Sequence, residues 1–295
     1  MAVKVILNPY ANRWGAKARL AEIEAALTAV SLSYNLTITD SPNQGIDVAY
    51  EAAQEGYDAI VAAGGDGTIN EVINGVLRAA GTGPTVPFGI LPIGTANDFS
   101  DLIGLPRDLE ACARLFAAGK TKQIDAGQVN ERFFINNCAM AMEPMVTIEN
   151  IKMTRFSGTL RYVVALVKAL IRLKAWGMKI EWDGGGYEGA SYLLSICNGP
   201  RTGGFYMAPE AIFDDGLLDF VFAPEVPKWT VLAILVRLFN KTHVHHPAVT
   251  YGKTTRLSLT SQPGTPIHAD GEVFTESETA VTCQIHSGKV TLLVP

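Results

Sequence analysis

The residues of this chain best equipped for chemistry are glycines and carboxylates in two short runs. The first is Ala62-Ala63-Gly64-Gly65-Asp66-Gly67-Thr68-Ile69-Asn70-Glu71, where a buried apolar run meets three glycines and then a helical pattern. Glycines let a backbone turn sharply and approach a ligand without a Cβ in the way. The amides at the start of the following helix, and its dipole, favour a phosphate. Thr68 with Glu71 three residues on reads as a capping box for that helix. The second run is Phe88-Gly89-Ile90-Leu91-Pro92-Ile93-Gly94-Thr95-Ala96-Asn97-Asp98-Phe99, again an apolar run, a glycine turn and a helix start. Two such turns from successive strands meet at one edge of a sheet, one to hold phosphates and the other a metal or sugar. Neither run is a G-x-x-x-x-G-K-[ST] loop or a G-x-G-x-x-G dinucleotide fingerprint.

Further carboxylates lie downstream. Asp270-Gly271-Glu272 puts two of them on one face if the segment is extended; the other reading is a solvated Asp-Gly turn. Asp214-Asp215-Gly216-Leu217 and Ile124-Asp125-Ala126-Gly127 both read as turns from spacing alone. His243-Val244-His245-His246 reads as a polar loop before a strand rather than as metal ligands.

The elements that must carry these residues change rhythm along the chain. Residues 1–124 alternate strands (Val3–Leu7, Tyr34–Thr39, Asp58–Ala63, Pro87–Leu91) with helices (Gly15–Val30, Asp47–Glu55, Ile69–Ala79, Leu109–Ala118). That alternation predicts βαβ units and a parallel sheet flanked by helices, with ligands at the carboxyl ends of the strands. Residues 125–295 read as mainly antiparallel β, through Phe133–Cys138, Met178–Trp182, Ser191–Cys197, Leu217–Ala223, Thr255–Leu259, Ala280–Ile285 and Val290–Val294, with one or two helices inserted. The expectation is an α/β domain over 1–124, a β-rich domain over 125–295, and an active site in the cleft between them.

The paired motifs carry a family resemblance. Gly64-Gly65-Asp66-Gly67-Thr68 with Asn70-Glu71, followed by Pro92-Ile93-Gly94-Thr95-Ala96-Asn97-Asp98-Phe99, resembles the diacylglycerol kinase catalytic-domain family, which includes bacterial soluble lipid kinases, sphingosine kinases and ceramide kinases. The first motif is shared with NAD kinases; the pair at this spacing is more specific. Asn198-Gly199-Pro200, Gly203-Gly204-Phe205, Ala208-Pro209, Asp214-Asp215-Gly216-Leu217-Leu218-Asp219 and Ala269-Asp270-Gly271-Glu272 extend the resemblance over nearly the whole chain. It implies an NAD-kinase-like nucleotide-binding α/β domain, a β-rich lipid or substrate domain, and ATP- and Mg²⁺-dependent phosphorylation of a lipid hydroxyl.

Roles follow residue by residue from the resemblance. With no P-loop lysine, Mg²⁺ and backbone dipoles must neutralise the phosphates. Asp66, Asp98 and Asp125 are implied to form an acidic, water-filled network around the catalytic Mg²⁺. Asp270 or Glu272 is the implied general base, with Glu272 favoured. The side chain of Asp215 and the backbone carbonyls of Ile212 and Leu217 are implied to hold a second, structural Mg²⁺. Nucleotide contacts are expected from Asn8-Pro9-Tyr10-Ala11-Asn12 after the first strand, from Thr39 after the second, from Gly64 to Glu71 (Gly64, Gly65, Asp66, Gly67, Thr68, Asn70, Glu71), and from Gly94, Thr95 and Asn97. The family often has glycine or serine in the first loop, where this chain has Tyr10 and Asn12.

Composition bounds the setting. Of 295 residues 48% are hydrophobic and 18% charged, enough for a substantial core, and the net charge of -5 argues against a general nucleic-acid binder. Cys112, Cys138, Cys197 and Cys283 are scattered, as reduced cytosolic thiols are. The start does not read as a signal peptide, and the apolar windows 160–176 and 229–239 are interrupted by cations or too short to span a bilayer. A soluble cytoplasmic protein, peripheral at the inner membrane surface, is expected. Residues 152–179 carry seven cations and no acid. Leu160, Val163, Val164, Val167, Leu170 and Ile171 share one helical face there, opposite Arg161, Lys168 and Arg172, so this reads as a basic amphipathic helix for an anionic membrane, or as a helix packed on the β domain. The competing functions are phosphorylation of phosphatidylglycerol or of a sphingoid or ceramide lipid, an NAD kinase, and a catalytically silent nucleotide- or lipid-binding module. The family also includes homodimers.

Overall fold

The computed structural model describes residues 2–11, 15–152, 164, 167–168 and 170–295. The chain divides into two compact units, Met1–Ala126 with Ser287–Pro295, and Gly127–His286.

Unit 1 begins with β1 (Ala2–Leu7), α1 (Gly15–Ala18), α2 (Leu20–Ala29), β2 (Ser33–Ile38) and α3 (Gln44–Glu55). It continues through β3 (Ala59–Gly64), α4 (Asp66–Ala80), β4 (Phe88–Pro92), α5 (Asp98–Leu102) and α6 (Leu109–Ala118). The strands pair in parallel in the order β2-β1-β3-β4, with Val5 opposite Leu36 and Val61, and Val61 opposite Gly89. All six residues of β3 are buried, which is why its sequence is an unbroken small-apolar run rather than an alternating one. Helix α6 shows local signals agreeing with the fold: the Asp108 side chain accepts the Ala111 amide at its start, and Gly119 ends it in the left-handed region.

The order reverses direction between β1 and β3, so the crevice outside their carboxyl ends is the topological switch point where parallel sheets bind ligands. The loops after β1 and β3 flank it. The helix expected over Gly15–Val30 is two helices, broken at Arg19, whose guanidinium pairs with Glu22 at 2.6 Å. Helix α4 starts at Asp66 rather than Ile69.

The chain leaves unit 1 within β5 (Thr121–Val129). Unit 2 holds β6 (Arg132–Phe134), β7 (Asn137–Ala141), α7 (Met142–Lys152), β8 (Trp176–Trp182), β9 (Gly185–Cys197), β10 (Leu218–Pro224), α8 (Lys228–Phe239), β11 (Thr250–Thr254) and β12 (Arg256–Ala269). Strand β13 (Glu272–Leu293) is shared by the two units. The pairing in unit 2 is antiparallel, in the order β11-β10-β9-β7-β12-β13. β8 pairs with the first half of β9 and of β12, and β7 with the second half of each. The two long strands therefore wrap around a core that includes Phe134, Met140, Met178, Leu194, Phe220 and Leu259. The strand expected over Phe133–Cys138 is two strands. The strands expected at Ala280–Ile285 and Val290–Val294 are one. The last nine residues, grouped by sequence with the β-rich half, belong to unit 1, where Leu292 pairs in parallel with Phe88.

At the β8–β9 turn, one oxygen of Asp183 accepts the Thr255 amide and hydroxyl, both at 2.7 Å, and the Thr254 hydroxyl at 3.0 Å. These donors, the Thr255 hydroxyl first, hold the Asp183 carboxyl down at about 2 against an ordinary 3.8. A depressed carboxyl stabilises the fold above its unfolded value, and the contribution is lost as pH falls through the folded one. Asp183→Asn is expected to lower the urea midpoint at pH 7, with the gap to wild type narrowing as pH falls below 3.8 toward about 2. A gap that does not change with pH would show that the carboxylate bonds do not contribute.

Candidate phosphate-binding turns and acidic sites

The two glycine turns of unit 1 touch through their backbones. A Cβ at position 94 would fall inside the van der Waals envelope of the Gly65 backbone, and a Cβ at position 64 would collide with the Thr68 side chain. The amides of Ile93 and Gly94 both donate to the Gly64 carbonyl at 3.1 Å. Asp66 completes the junction: its two oxygens accept the Asp98 and Phe99 amides at 3.2 Å, the first amides of α5. Asn97, in the left-handed region ahead of α5, donates its amide group to the Gly94 carbonyl at 3.0 Å. The same residue leaves its buried Oδ1 without a hydrogen-bond partner.

Gly65 is the N-cap of α4, and no side chain caps that helix. Helix geometry leaves its first-turn amides without intrahelical acceptors. The expected capping box is therefore corrected. Thr68 lies inside the first turn, and the Glu71 carboxylate instead accepts the Asn43 and Gly45 amides at 3.1 Å, serving the start of α3. Asn70 is fully buried in α4. Asn8 follows β1, its amide donating to the Ala63 carbonyl at 3.3 Å and its side chain accepting the Tyr10 amide at 2.9 Å. The Tyr10 hydroxyl donates to the Asp40 carbonyl, and Pro9 and Ala11 lie in the same turn. Thr39 is buried after β2, with its amide on the Leu7 carbonyl. Asn12 lies outside the described residues. The first-loop residues, Thr39 and both glycine turns thus share the carboxyl edge of one parallel sheet, with Thr95 beside Gly94.

Asp98 is largely buried at the start of α5. Asp125 is buried inside β5 rather than in a turn, and its carboxylate accepts the Gly288 amide at 2.7 Å. Among the described residues, no three His, Cys, Asp or Glu side chains gather as a metal cluster.

In unit 2, Asp270-Gly271 forms a two-residue hairpin turn between β12 and β13, with φ of 49° and 85° and Ala269 paired to Glu272. Positive φ at both positions is the reason for the Asp-Gly pair, and it corrects the extended reading. The Asp270 carboxylate accepts three successive amides, Ile135, Asn136 and Asn137, at 2.9, 2.8 and 3.1 Å. Glu272 is exposed at the start of β13.

The second metal position is also corrected. Asp215 accepts the Leu217 amide on one oxygen, while the other lies 2.8 Å from the Lys253 ammonium. Lys253 sits directly opposite Asp219 across the β10–β11 pair, 3.6 Å from its carboxylate. Asp219 is fully buried, accepts the Tyr251 hydroxyl, and has its carboxyl pushed up by burial first. The counter-charge that the resemblance assigns to a structural Mg²⁺ is supplied here by a lysine, so the Asp215 side chain does not fit that ion; the Ile212 side chain is exposed. His243 is also no metal ligand by geometry: it is buried with Nε2 on the Met207 carbonyl at 2.8 Å.

The expected basic helix falls largely outside the described residues. Of its cations, Arg172 lies 3.3 Å and Lys168 4.0 Å from the Glu149 carboxylate. Sequence reasoning did not find Lys253, Glu149 or the staple roles of Asp66 and Asp270. Each depends on which strands and loops become neighbours.

Removing one partner of a buried ion pair leaves an uncompensated charge. Because the Lys253 side chain is one-third exposed, Lys253→Met is expected to cost about 2–3 kcal/mol, below the full buried-pair penalty. Adding Asp219→Asn is expected to restore part of this loss, and EDTA is expected to leave the wild-type melting temperature unchanged. A fall in melting temperature on chelation would return the site to a metal ion.

Comparison with known proteins agrees with both units. The model of the diacylglycerol kinase catalytic domain matches residues 2–129, and that of the YegS C-terminal NAD kinase beta sandwich-like domain matches residues 140–294. A diacylglycerol kinase of Staphylococcus aureus (strain bovine RF122) is 28% identical over 272 residues, covering 91% of this chain and 85% of that one. The enzyme of that name from Staphylococcus saprophyticus is 29% identical, covering 91% and 88%. The solved structure of a putative diacylglycerol kinase from Bacillus anthracis str. Sterne has the same fold, with a TM-score of 0.82 at 23% identity, covering 100% of this chain and 97% of that one. Matched along both units, the chain belongs to the diacylglycerol kinase catalytic-domain family.

Proposed function

We propose that the protein transfers the γ-phosphoryl group of ATP to the hydroxyl of diacylglycerol or a related lipid alcohol at a membrane surface. The chain is a lipid kinase of its family, with an alcohol as acceptor. The observation that carries the nucleotide assignment is the pair of glycine turns after β3 and β4, beside the switch point, locked by Asp66 around a helix start with no side-chain cap. A phosphate there meets first-turn amides and the positive end of the α4 dipole, worth about 0.3–1 kcal/mol per charge from the dipole alone.

The buried Asn97 Oδ1 that lacks a partner, and the carboxylates of Asp66 and Asp98, are oxygen donors of the kind Mg²⁺ takes. When bound, the ion would neutralise charge on the transferring phosphate. The lipid oxygen attacks the γ-phosphorus, the bond to the β–γ bridging oxygen breaks, ADP leaves, and the hydroxyl proton passes to a general base. Glu272 suits that role. Asp270 has its carboxylate committed to three amides and acts by shaping the hairpin that presents Glu272. Asp125, which like Asp66 also accepts a backbone amide, completes the acidic network proposed around the ion. A cavity of 470 Å³ in unit 2 is lined by Met142, Met145, Ile148 and Trp176, with the Arg172–Glu149 pair, Lys174 and Glu276 among its walls. Apolar walls beside charged groups of both signs suit an acyl chain with a polar head.

Transfer of ³²P from ATP with Mg²⁺ to lipids in mixed micelles tests the assignment, with NAD as a parallel acceptor. Label in a lipid alcohol is expected. Label in NAD alone would make the protein an NAD kinase, and ATP binding with no transfer would make it a silent binding module.

The two late carboxylates separate by experiment. Glu272→Gln is expected to lower kcat by about 10²–10⁴-fold while preserving ATP affinity and melting temperature. Asp270→Asn sacrifices amide bonds worth about 1.5–3 kcal/mol each and is expected to lower the melting temperature as well. An Asp270→Asn protein as stable as wild type but inactive would exchange the two roles.

A further inference from the structure

Helix α8 carries an apolar stripe that the fold of unit 2 does not cover. Trp229, Leu232, Val236 and Phe239 are spaced three, four and three residues apart, which sets them on one face of the helix. They are 73%, 59%, 65% and 57% exposed. The core-facing side of the helix is a different one, occupied by the buried Thr230, Val231 and Leu238. Single exposed apolar side chains are ordinary, whereas a contiguous stripe of four large ones marks an interaction surface. Phe205 adds to it, its ring 5.5 Å from that of Phe239 in an edge-to-face arrangement.

The charge around the stripe selects the partner. Lys228 and Arg237 are exposed on its two flanks, and Lys241 follows at the helix end with its ammonium over the Tyr206 ring. No Asp or Glu occurs between Val226 and Ala269. The acid just ahead of the helix, Glu225, is engaged with Tyr192. An apolar stripe with tryptophan at one end, bordered by cations and free of acids in sequence, is the pattern of a helix lying in the interface of an anionic bilayer. There the apolar face enters the acyl boundary and the cations meet lipid phosphates. The helix has 12 residues and so lies on a membrane rather than crossing it.

We infer that α8 is a membrane-docking element, which seats unit 2 on an anionic lipid surface through Trp229, Leu232, Val236 and Phe239, with Lys228 and Arg237 pairing to headgroup phosphates. The inference rests on the lipid-kinase reading for its purpose, because an enzyme whose acceptor resides in a bilayer must reach that bilayer. Its physical basis is separate and is tested without turnover.

Sedimentation with phosphatidylcholine vesicles, with and without phosphatidylglycerol, is the measurement. The wild-type protein is expected to bind the phosphatidylglycerol vesicles more tightly, with affinity falling as salt rises. The triple variant Trp229→Ser, Leu232→Ser, Val236→Ser is expected to lose about tenfold or more in vesicle affinity. It should keep its melting temperature and its activity on a short-chain, monomerically soluble diacylglycerol. Lys228→Gln with Arg237→Gln is expected to remove most of the preference for phosphatidylglycerol. A blue shift of tryptophan emission on vesicle addition, absent in Trp229→Phe, places the ring in the bilayer.

Vesicle binding unchanged in the triple variant, or no binding by the wild type, would overturn the inference. So would a wild-type dimer that the triple variant dissociates without change in vesicle affinity, which would make the stripe a contact between two copies. Vesicle binding with no phosphoryl transfer to any lipid would leave the docking element and remove the kinase reading. Transfer to the soluble acceptor without vesicle binding would do the reverse.

Discussion

The contact on which the nucleotide half of this protein depends is a backbone-to-backbone one, Gly94 against Gly65. No side chain fits between the two turns, so the loops after β3 and β4 approach more closely than any other residue pair would permit. That closeness lets one carboxylate, Asp66, serve two helices: it occupies the first turn of α4 and accepts the first amides of α5. The two helix starts are thereby tied to each other at the carboxyl edge of the sheet. Neither the glycines nor the aspartate would create an anion site alone. A helix start is worth only about 0.3–1 kcal/mol per charge to an anion, and a turn held rigid by its neighbour loses less freedom when any ligand arrives.

Carboxylates binding backbone amides recur through the molecule. Glu71 serves the start of α3, Asp125 the Gly288 turn, Asp183 the β11–β12 junction, and Asp270 the three amides from Ile135 to Asn137. Asp125 and Asp270 satisfy partly buried donors, where an orphaned amide costs about 1–3 kcal/mol, whereas Asp183 holds exposed ones. In this family resemblance identifies acids, but geometry divides them. A carboxylate whose oxygens accept backbone amides fixes the local backbone, as Asp270 does for the hairpin after which the exposed Glu272 begins β13.

The same division explains what could be read from the sequence. Helix α6 was legible to the residue, because its cap, periodicity and terminal glycine are all local. The start of α4 was read three residues late, because Gly67 and Thr68 are weak helix formers that tertiary contacts hold in the first turn. Glu71 looked like half of a capping box, and only the packing of α3 against α4 reveals which amides it serves. Lys253 escaped notice because cross-strand register, not spacing, puts it opposite Asp219. The return of the last strand to unit 1 was equally hidden, since a parallel pair with Phe88 leaves no local mark on Leu292.

Helix α8 shows the limit from the other side. Its sequence was read only as an apolar window too short to cross a membrane, and that reading contains no information about which of its faces is covered. Hydrophobic periodicity reports that a helix has an apolar side; the tertiary structure decides how many such sides there are. Here Val231 and Leu238 satisfy the core, and the stripe from Trp229 to Phe239 is surplus to folding. Exposing four large apolar side chains to water favours association with any surface that covers them, so such a stripe persists without aggregation only when charge restricts the partner. Lys228, Arg237 and Lys241 provide that restriction, because they repel a second copy of the same basic stripe and attract a surface of lipid phosphates.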